Sequence, residues 1–435
     1  MHVLLIQPKV TAEPAYPLAL AGMIPLIQGG GHTVEGIDLV FEDEESILSR
    51  VLSGDVHWVG ATVLHHNAES VGRWMQQLRS IPGVQTFIAG ALPTLDPMGA
   101  IARTGADFAI VGEPEESVSD LIDAQVSGRV PGVVRAGNPN KTEREPSPFA
   151  ILPAPDRFVF PLDRYSYAMR STATPYAQVV TSRGCNRRCP YCPVPALRPN
   201  GFDAKLPEQV VREWTDLVNN HGIRSIHVED DSFLGNPNRV RSICDQIEST
   251  GLDVKWELVN GIRPDQVDPT LLQTMASAGC NRIVFSFEHI STSDSPGIGQ
   301  PMAEAVEAVR AARAAGMRVG GYFIVGLPGM NIEETIRSVF HGLQLRLDDA
   351  NWVPFYETPG SGYASAATTI DATTLSKAVS ERITKAAHLA FFGDPRTFVR
   401  LTSDLMATPG TIPSIAAKAI ELLRAGGPVP MRDTP

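Results

Sequence analysis

Short apolar runs alternate with amphipathic stretches through the first 140 residues of the chain. The runs Val3–Gln7, His32–Asp38, Trp58–Thr62, Thr86–Ala89 and Phe108–Val111 have the length and composition of buried strands. Between them, Pro17–Gln28, Ala68–Ile81, Pro97–Arg103 and Ser117–Ser127 read as helices. Strand and helix in alternation predict a parallel sheet wrapped by helices. Gly29-Gly30-Gly31 ends the first helix, where glycine accepts the left-handed backbone of a C-cap. From Gly137 to Ala173 prolines crowd the chain, which disfavours helix and reads as an extended connection. The rhythm then returns, with strands expected at Ala177–Thr181, Ser225–Val228, Lys255–Val259, Arg282–Phe287, Gly321–Val325 and Asn351–Phe355. Six such units predict a partial (β/α)6 TIM barrel and not a closed one. Farther on, Thr373–Phe392 and Ile412–Arg424 read as helices.

The expected fold class is therefore α/β. A Rossmann-like domain spans 1–140, a Pro-rich linker 141–174, the partial barrel 175–365 and a small helical C-terminal region 366–435. Composition narrows what such a chain does. Hydrophobic residues are 43% and charged residues 20%, ordinary for a soluble globular protein. A formal charge of −11 argues against nucleic acid as a partner, because phosphates are held by basic patches. No run reaches the roughly eighteen apolar residues of a membrane span. The start, Met1-His-Val-Leu-Leu-Ile-Gln-Pro8, reads as a strand without the basic region of a signal peptide, so a cytoplasmic location without membrane association is expected.

Of five cysteines, Cys185, Cys189 and Cys192 share one loop in a C-x3-C-x2-C spacing, directly after an expected strand. This clustering points to a reducing compartment and to metal chemistry. Three thiolates on a tight loop can hold three irons of a cubane cluster and leave the fourth iron open to a ligand. A zinc knuckle or a disulfide loop is the competing reading, although no fourth Cys or His follows at short spacing. Cys244 and Cys280 read as buried apolar residues.

The cysteine spacing, with aromatic Tyr191 just before the third cysteine, resembles the signature of the radical S-adenosylmethionine (radical SAM) superfamily. The resemblance implies a 4Fe-4S cluster that binds SAM and an external one-electron reductant of the flavodoxin or ferredoxin type. It also implies cleavage of SAM to a 5′-deoxyadenosyl radical that takes hydrogen from a small-molecule substrate. Later strand ends resemble the family in order. Glu229-Asp230-Asp231-Ser-Phe233 stands where the amino group of SAM is bound, and matches an Asp-Asp-x-Phe of the B12-binding branch. Asp231 or Ser232 also reads as the cap of a following helix. Arg263 suits a SAM carboxylate in a forked geometry. Glu288-His289-Ile290 departs from the family's Glu-Ser-Gly, which puts roles beyond Glu288 in doubt and leaves His289 as a proton donor or acceptor. Gly326-Leu-Pro328-Gly329 resembles the segment that packs by the adenine. Asp230, Asp231, Glu288 and His289 are thus the candidate catalytic residues. Tyr191, Glu229, Arg263, Gly326 and Pro328 are the candidates for SAM.

The N-terminal domain has no G-x-G-x-x-G after its first strand, which argues against a nicotinamide dinucleotide. Its strand ends, with Gln7-Pro8, Asp38, Ala61-Thr62-Val63, Gly90 to Thr94 and Gly112-Glu113, resemble the cobalamin-binding domain of the B12-binding radical SAM family. Thr62, Gly90 and Gly112 are the residues expected against a corrin. The D-x-H-x-x-G cobalt-ligand motif is missing. Two reactions stay open. In the leading one, cobalamin carries a methyl group to carbon of a polar or amine-bearing natural-product substrate, such as an antibiotic precursor. In the other, no cobalamin binds and the substrate radical is dehydrated or deoxygenated, as for aminosugars in aminoglycoside biosynthesis, with a reductase downstream. A third reading, a non-catalytic cobalamin sensor or carrier, does not account for the ordered SAM motifs.

Overall fold

The computed structural model describes residues 1–9, 14–124, 129–138, 144–165, 175–291, 299–365, 375–397 and 399. The expected helix Ile412–Arg424, residues 373–374 of the helix before it, and residues 125–127 of the expected helix Ser117–Ser127 lie outside the described residues. The chain divides into two compact units, one of Met1–Ser166 with Pro193–Ala204 and Asp433–Pro435, the other of Tyr167–Cys192 with Lys205–Arg432.

The first unit is built on β1 (His2–Gln7), β2 (Thr33–Asp38), β3 (Trp58–Thr62), β4 (Gln85–Ala89), β5 (Phe108–Ile110) and β6 (Val133–Arg135). Their order is β2-β1-β3-β4-β5-β6, parallel through β5 with β6 antiparallel at the edge. That is the flavodoxin-like doubly wound order, whose ligand crevice opens outside the carboxyl ends of β1 and β3. The central strands are apolar along their length because helices cover both faces. Leu4, Ile6, Val59, Ala61, Trp74 and Ile88 belong to one such core cluster. The helices are α1 (Leu18–Gly29), α2 (Glu44–Ser53), α3 (Ala68–Leu78), α4 (Ala91–Leu95), α5 (Pro97–Thr104) and α6 (Pro114–Asp123). Helix α2 was not expected from the apolar pattern. It begins because Asp43 caps it, accepting from the Ser46 amide at 3.0 Å, with Glu44 and Glu45 in its first turn.

The second unit carries β7 (Tyr176–Val179), β8 (Ser225–Val228), β9 (Lys255–Ile262), β10 (Cys280–Glu288), β11 (Arg318–Val325) and β12 (Asp349–Pro354). They lie side by side in chain order, all parallel, as a partial barrel requires. Helices α7 (Pro207–His221), α8 (Pro237–Thr250), α9 (Pro269–Ser277), α10 (Met302–Ala314) and α11 (Ile332–Gln344) connect them. Strand β9 runs past the expected Val259 to Ile262, with register shifts against β10, so Asn260 and Gly261 are strand and not loop. Helix α12 (Lys377–Phe392) lies against β12, setting Phe391 and His388 each 5.6 Å from the Trp352 ring.

Low in the barrel, an ionic ladder crosses three strands. Arg282 of β10 reaches Glu257 of β9 at 3.2 Å and holds Asp349 of β12 through both oxygens, at 2.7 and 2.9 Å. Glu257 and Arg282 are 1% and 3% exposed, so neither charge has water to fall back on. Arg282→Met should therefore destabilise the protein by about 3–5 kcal/mol, because it removes the cation that Glu257 and Asp349 share. The double variant Arg282→Met, Glu257→Leu should recover most of that loss in a urea titration. Equal cost in the single and double variants would refute the coupling.

Candidate active site

The cysteine loop grows from the end of β7, and its root is held by a carboxylate from the next strand. Asp230, 2% exposed, accepts from the Thr181 amide, the Thr181 hydroxyl and the Ser182 hydroxyl, each at 2.6 Å. Burial pushes its carboxyl up from the usual range, against the pull of these donors and of Arg239. Arg239 of α8 closes the other side, donating to the Thr181 carbonyl and the Lys205 carbonyl, each at 2.8 Å. Asp231 then accepts from the Gly184 amide at 2.7 Å, and Gly184 itself is left-handed at φ 75°, where glycine is unstrained. Asp230 was expected to touch cofactor or substrate. In the structure its carboxylate clamps the loop, accepting from three donors of its own chain. The cap expected at Asp231 or Ser232 is also displaced: Asn236 caps α8, accepting from the Arg239 amide at 3.1 Å. Neither Arg239 nor the paired hydroxyls carried a signal in the sequence beyond their neighbourhood.

Cys185, Cys189 and Cys192 are half-buried and form no disulfide. The Cys192 amide donates to the Cys189 carbonyl at 3.0 Å, which keeps the last two thiols on one turn, and the Arg187 amide points at the Cys185 sulfur at 3.4 Å. Among the described residues no three His, Cys, Asp or Glu side chains are grouped so as to hold a single metal ion. A cubane takes each cysteine on a different iron, and three anchored, reduced thiols on one loop fit that requirement. Cys244 and Cys280 are buried on α8 and β10, as expected of apolar packing residues.

Tyr191 of the loop meets two residues from strand ends, Arg263 and Glu288. The Tyr191 hydroxyl lies beside Glu288 and Cys189, and burial, with these two acidic neighbours, pushes it well above the usual range. Ser286 and the Arg263 guanidinium lie close enough to Glu288 to favour its charged form, and Arg263 acts on Tyr191 in the same way. Glu288 is a non-glycine residue at φ 58°, at a register shift between β10 and β11. Such strained backbone gathers at functional sites. The carboxylate is 6% exposed, and its Oε2 has no hydrogen-bond partner among the described residues; nor does Arg263 Nε. Burial pushes the Glu288 carboxyl up to about 7, against the lowering effects of Ser286, Arg263 and Tyr191. Tyr191 also packs on the cluster of Ile324, Leu327 and Val353 at the ends of β11 and β12.

Four expected site residues stand elsewhere. His289 follows Glu288 but turns to α11, where it senses Glu334 and His341, and burial pushes its ring down. It is not part of the Tyr191 group. Gly326 is left-handed at φ 80°, and a Cβ there would stand 2.4 Å from Ser380 Oγ, so its free side is taken by α12. Glu229 is buried, and its carboxylate accepts from Gln178 while Asn260 holds its carbonyl at 2.7 Å. Pro328 is half-buried on the loop after β11.

In the first unit, the Thr62 hydroxyl donates to Gln7 Oε1 at 3.2 Å, across the ends of β3 and β1. Gly90 is left-handed at φ 110°, where a Cβ would stand 3.1 Å from the Val63 carbonyl. Gly112, at φ 80°, faces open space. Thr94 ties the two glycines, accepting from the Gly112 amide at 3.1 Å and donating to the Gly90 carbonyl at 2.8 Å. Small residues and bare backbone at these ends fit a broad planar group. Glu113 pairs with Arg198 beside them.

Two predictions come from this geometry. Asp230→Ala leaves three buried donors without an acceptor, so it should cost about 3 kcal/mol or more in unfolding free energy and lower the iron bound per chain. Wild-type stability with lost SAM binding would return Asp230 to a ligand role. For Glu288, the folded carboxyl keeps its proton to about pH 7 while the unfolded one releases it near 4.5. The folded state therefore binds more protons between those values, and the metal-free protein should lose on the order of 3 kcal/mol as pH rises across that window. Glu288→Gln should flatten that slope in denaturation curves taken at several pH values; an unchanged slope would refute it.

Comparison with known proteins agrees with this geometry. The Radical SAM superfamily pattern matches residues 179–340, covering β8 to β11, and the B12 binding domain pattern matches residues 10–122, covering β2 to β5. An uncharacterized methyltransferase of Pyrococcus horikoshii is 25% identical over 92% of this chain and 94% of its own. Cytidylyl-2-hydroxyethylphosphonate methyltransferase of Streptomyces wedmorensis is 25% identical over 43% of this chain and 37% of its own. Among solved structures, the radical SAM methyltransferase TsrM from Kitasatospora setae, with cobalamin and a [4Fe-4S] cluster bound, shares the fold. Its TM-score is 0.69 at 18% identity, over 83% of this chain and 76% of that one. The cobalamin-dependent SAM radical enzyme OxsB, with aqua-cobalamin and SAM bound, gives 0.66 at 18% identity, over 78% and 51%. Each pattern falls on its own parallel sheet, in the order the strands run, and the chain belongs to the radical SAM family that carries an N-terminal B12-binding domain.

Proposed function

We propose that this chain is a cobalamin-dependent radical SAM methyltransferase that acts on carbon of a small polar or amine-bearing substrate. The observation that carries the reading is the pairing, in one chain, of an anchored three-thiol loop with a sheet end of glycine and bare backbone. The near full-length likeness to an uncharacterized methyltransferase supports the same choice over deoxygenation.

Cys185, Cys189 and Cys192 would hold the 4Fe-4S cluster, with Asp230 and Asp231 fixing the loop that carries them. Bound together, the cluster and SAM supply a hydrogen-abstracting radical, and cobalamin supplies a transferable methyl group. The chain's own part is placement and charge. Arg263 would offer a guanidinium to a carboxylate, Glu229 a buried negative charge at the end of β8 near an ammonium, and Tyr191 sits between the cysteine loop and Glu288. Glu288, with one oxygen unspent, takes or gives a proton near neutral pH. The loop of Gly326 and Pro328 would offer backbone to an adenine, because Ser380 fills the side where a larger residue would project. Thr62, Gly90 and Gly112 would lie against the corrin. A one-electron reductant of the flavodoxin or ferredoxin class completes the system.

Anaerobically reconstituted protein should bind cobalamin with its characteristic spectrum and form 5′-deoxyadenosine with substrate. Cys189→Ala should lose iron and that product together. Product formed by the variant would remove the cluster role, and a protein that makes 5′-deoxyadenosine yet ignores cobalamin would replace methylation with elimination.

A further inference from the structure

The cysteine loop carries a cation that the cluster signature does not ask for. Arg187 lies between Cys185 and Cys189, and its guanidinium feels both thiolates. It also forms an ion pair with Asp265, Nη2 to Oδ2 at 2.7 Å. Asp265 stands in the short turn Pro264–Gln266 that follows β9, and its other oxygen lies 3.9 Å from Arg263 Nε. One carboxylate is thus shared between a cation on the cysteine loop and a cation at a strand end.

Both members of the Arg187–Asp265 pair are 37% exposed, so the pair adds little to folding stability. Its consequence is electrostatic. A cluster gains a negative charge on reduction, and nearby net charge is one of the quantities that set its potential. A cation beside the sulfurs favours the reduced form, and a carboxylate on that cation cancels most of the effect.

We infer that Arg187 and Asp265 form a charge-balancing pair that sets the reduction potential of a cluster held by Cys185, Cys189 and Cys192. This rests on the function proposed above. Removing either partner uncovers the other. Arg187→Gln leaves the acid alone and lowers the potential; Asp265→Asn leaves the base alone and raises it. The double variant and Arg187→Lys both return it toward the wild-type value. A role confined to holding the loop in place does not produce shifts of opposite sign.

The test is a reductive titration of each reconstituted protein at low ionic strength, followed by absorbance and electron paramagnetic resonance, with iron and sulfide counted first. Opposed shifts in the single variants, cancelled in the double, support the pair as the control on potential. Shifts of the same sign, or none, overturn it. Should Arg187→Gln fail to hold a cluster, the Asp265→Asn protein decides alone: a raised potential supports the inference and an unchanged one ends it. A wild type that takes up no cluster removes the proposed function itself, and this inference with it.

Discussion

Asp230 and the donors at the root of the cysteine loop hold one another in place. Thr181 and Ser182 are fully buried, so their hydroxyls and the Thr181 amide need an acceptor, and Asp230 supplies it three times over. The carboxylate in turn sits where burial alone would drive it to keep its proton, and the same donors oppose that tendency. Arg239 adds a cation and grips the Thr181 carbonyl. Every thiol of the loop lies within eleven residues of this knot, counting from Thr181 to Cys192, and Asp231 extends the grip to Gly184. A loop left to itself would spend conformational entropy to bring three cysteines together. Here the hydrogen bonds of Asp230, Asp231 and Arg239 tie the start of that loop to the sheet.

Much of the architecture was legible because both sheets are parallel and buried, which leaves continuous apolar runs in the sequence. Elements without such runs were not. Helix α2 shows two fully buried residues, Ile47 and Val51, among acids, and announced itself only through the Asp43 cap. Strand β6 has three residues, too few for an alternation to register. The extension of β9 through Asn260 and Gly261 was hidden by the register shift that bends it.

At the site, what was local was legible and what depended on side-chain direction was not. The cysteine spacing needs no tertiary information. Glu229, Asp230 and Asp231 are consecutive, yet they serve Gln178, the loop root and Gly184 respectively. Glu288 and His289 are adjacent, yet one meets Tyr191 and the other meets α11. A motif read as a block assigns its members to one ligand, whereas side-chain direction sends them to different partners. The left-handed backbone at Glu288 adds a twist of direction that spacing does not reveal.

The N-terminal sheet makes the complementary case, in which a site is prepared by withdrawing chemistry. Asp38 ends β2 level with Gln7 of β1, where a bare carboxylate would face any ligand at the β1 and β3 ends. It is instead 5% exposed, held by the Tyr165 hydroxyl at 2.8 Å and the Val40 amide at 2.9 Å. Tyr165 comes from the segment read as linker, wedged edge-on against Tyr16 and Phe41. With that acid satisfied, the neighbouring strand ends present Thr62, Gly90 and Gly112, the last with open space where a side chain would be. Small residues at these strand ends leave room for the flat face of a ligand to approach the backbone.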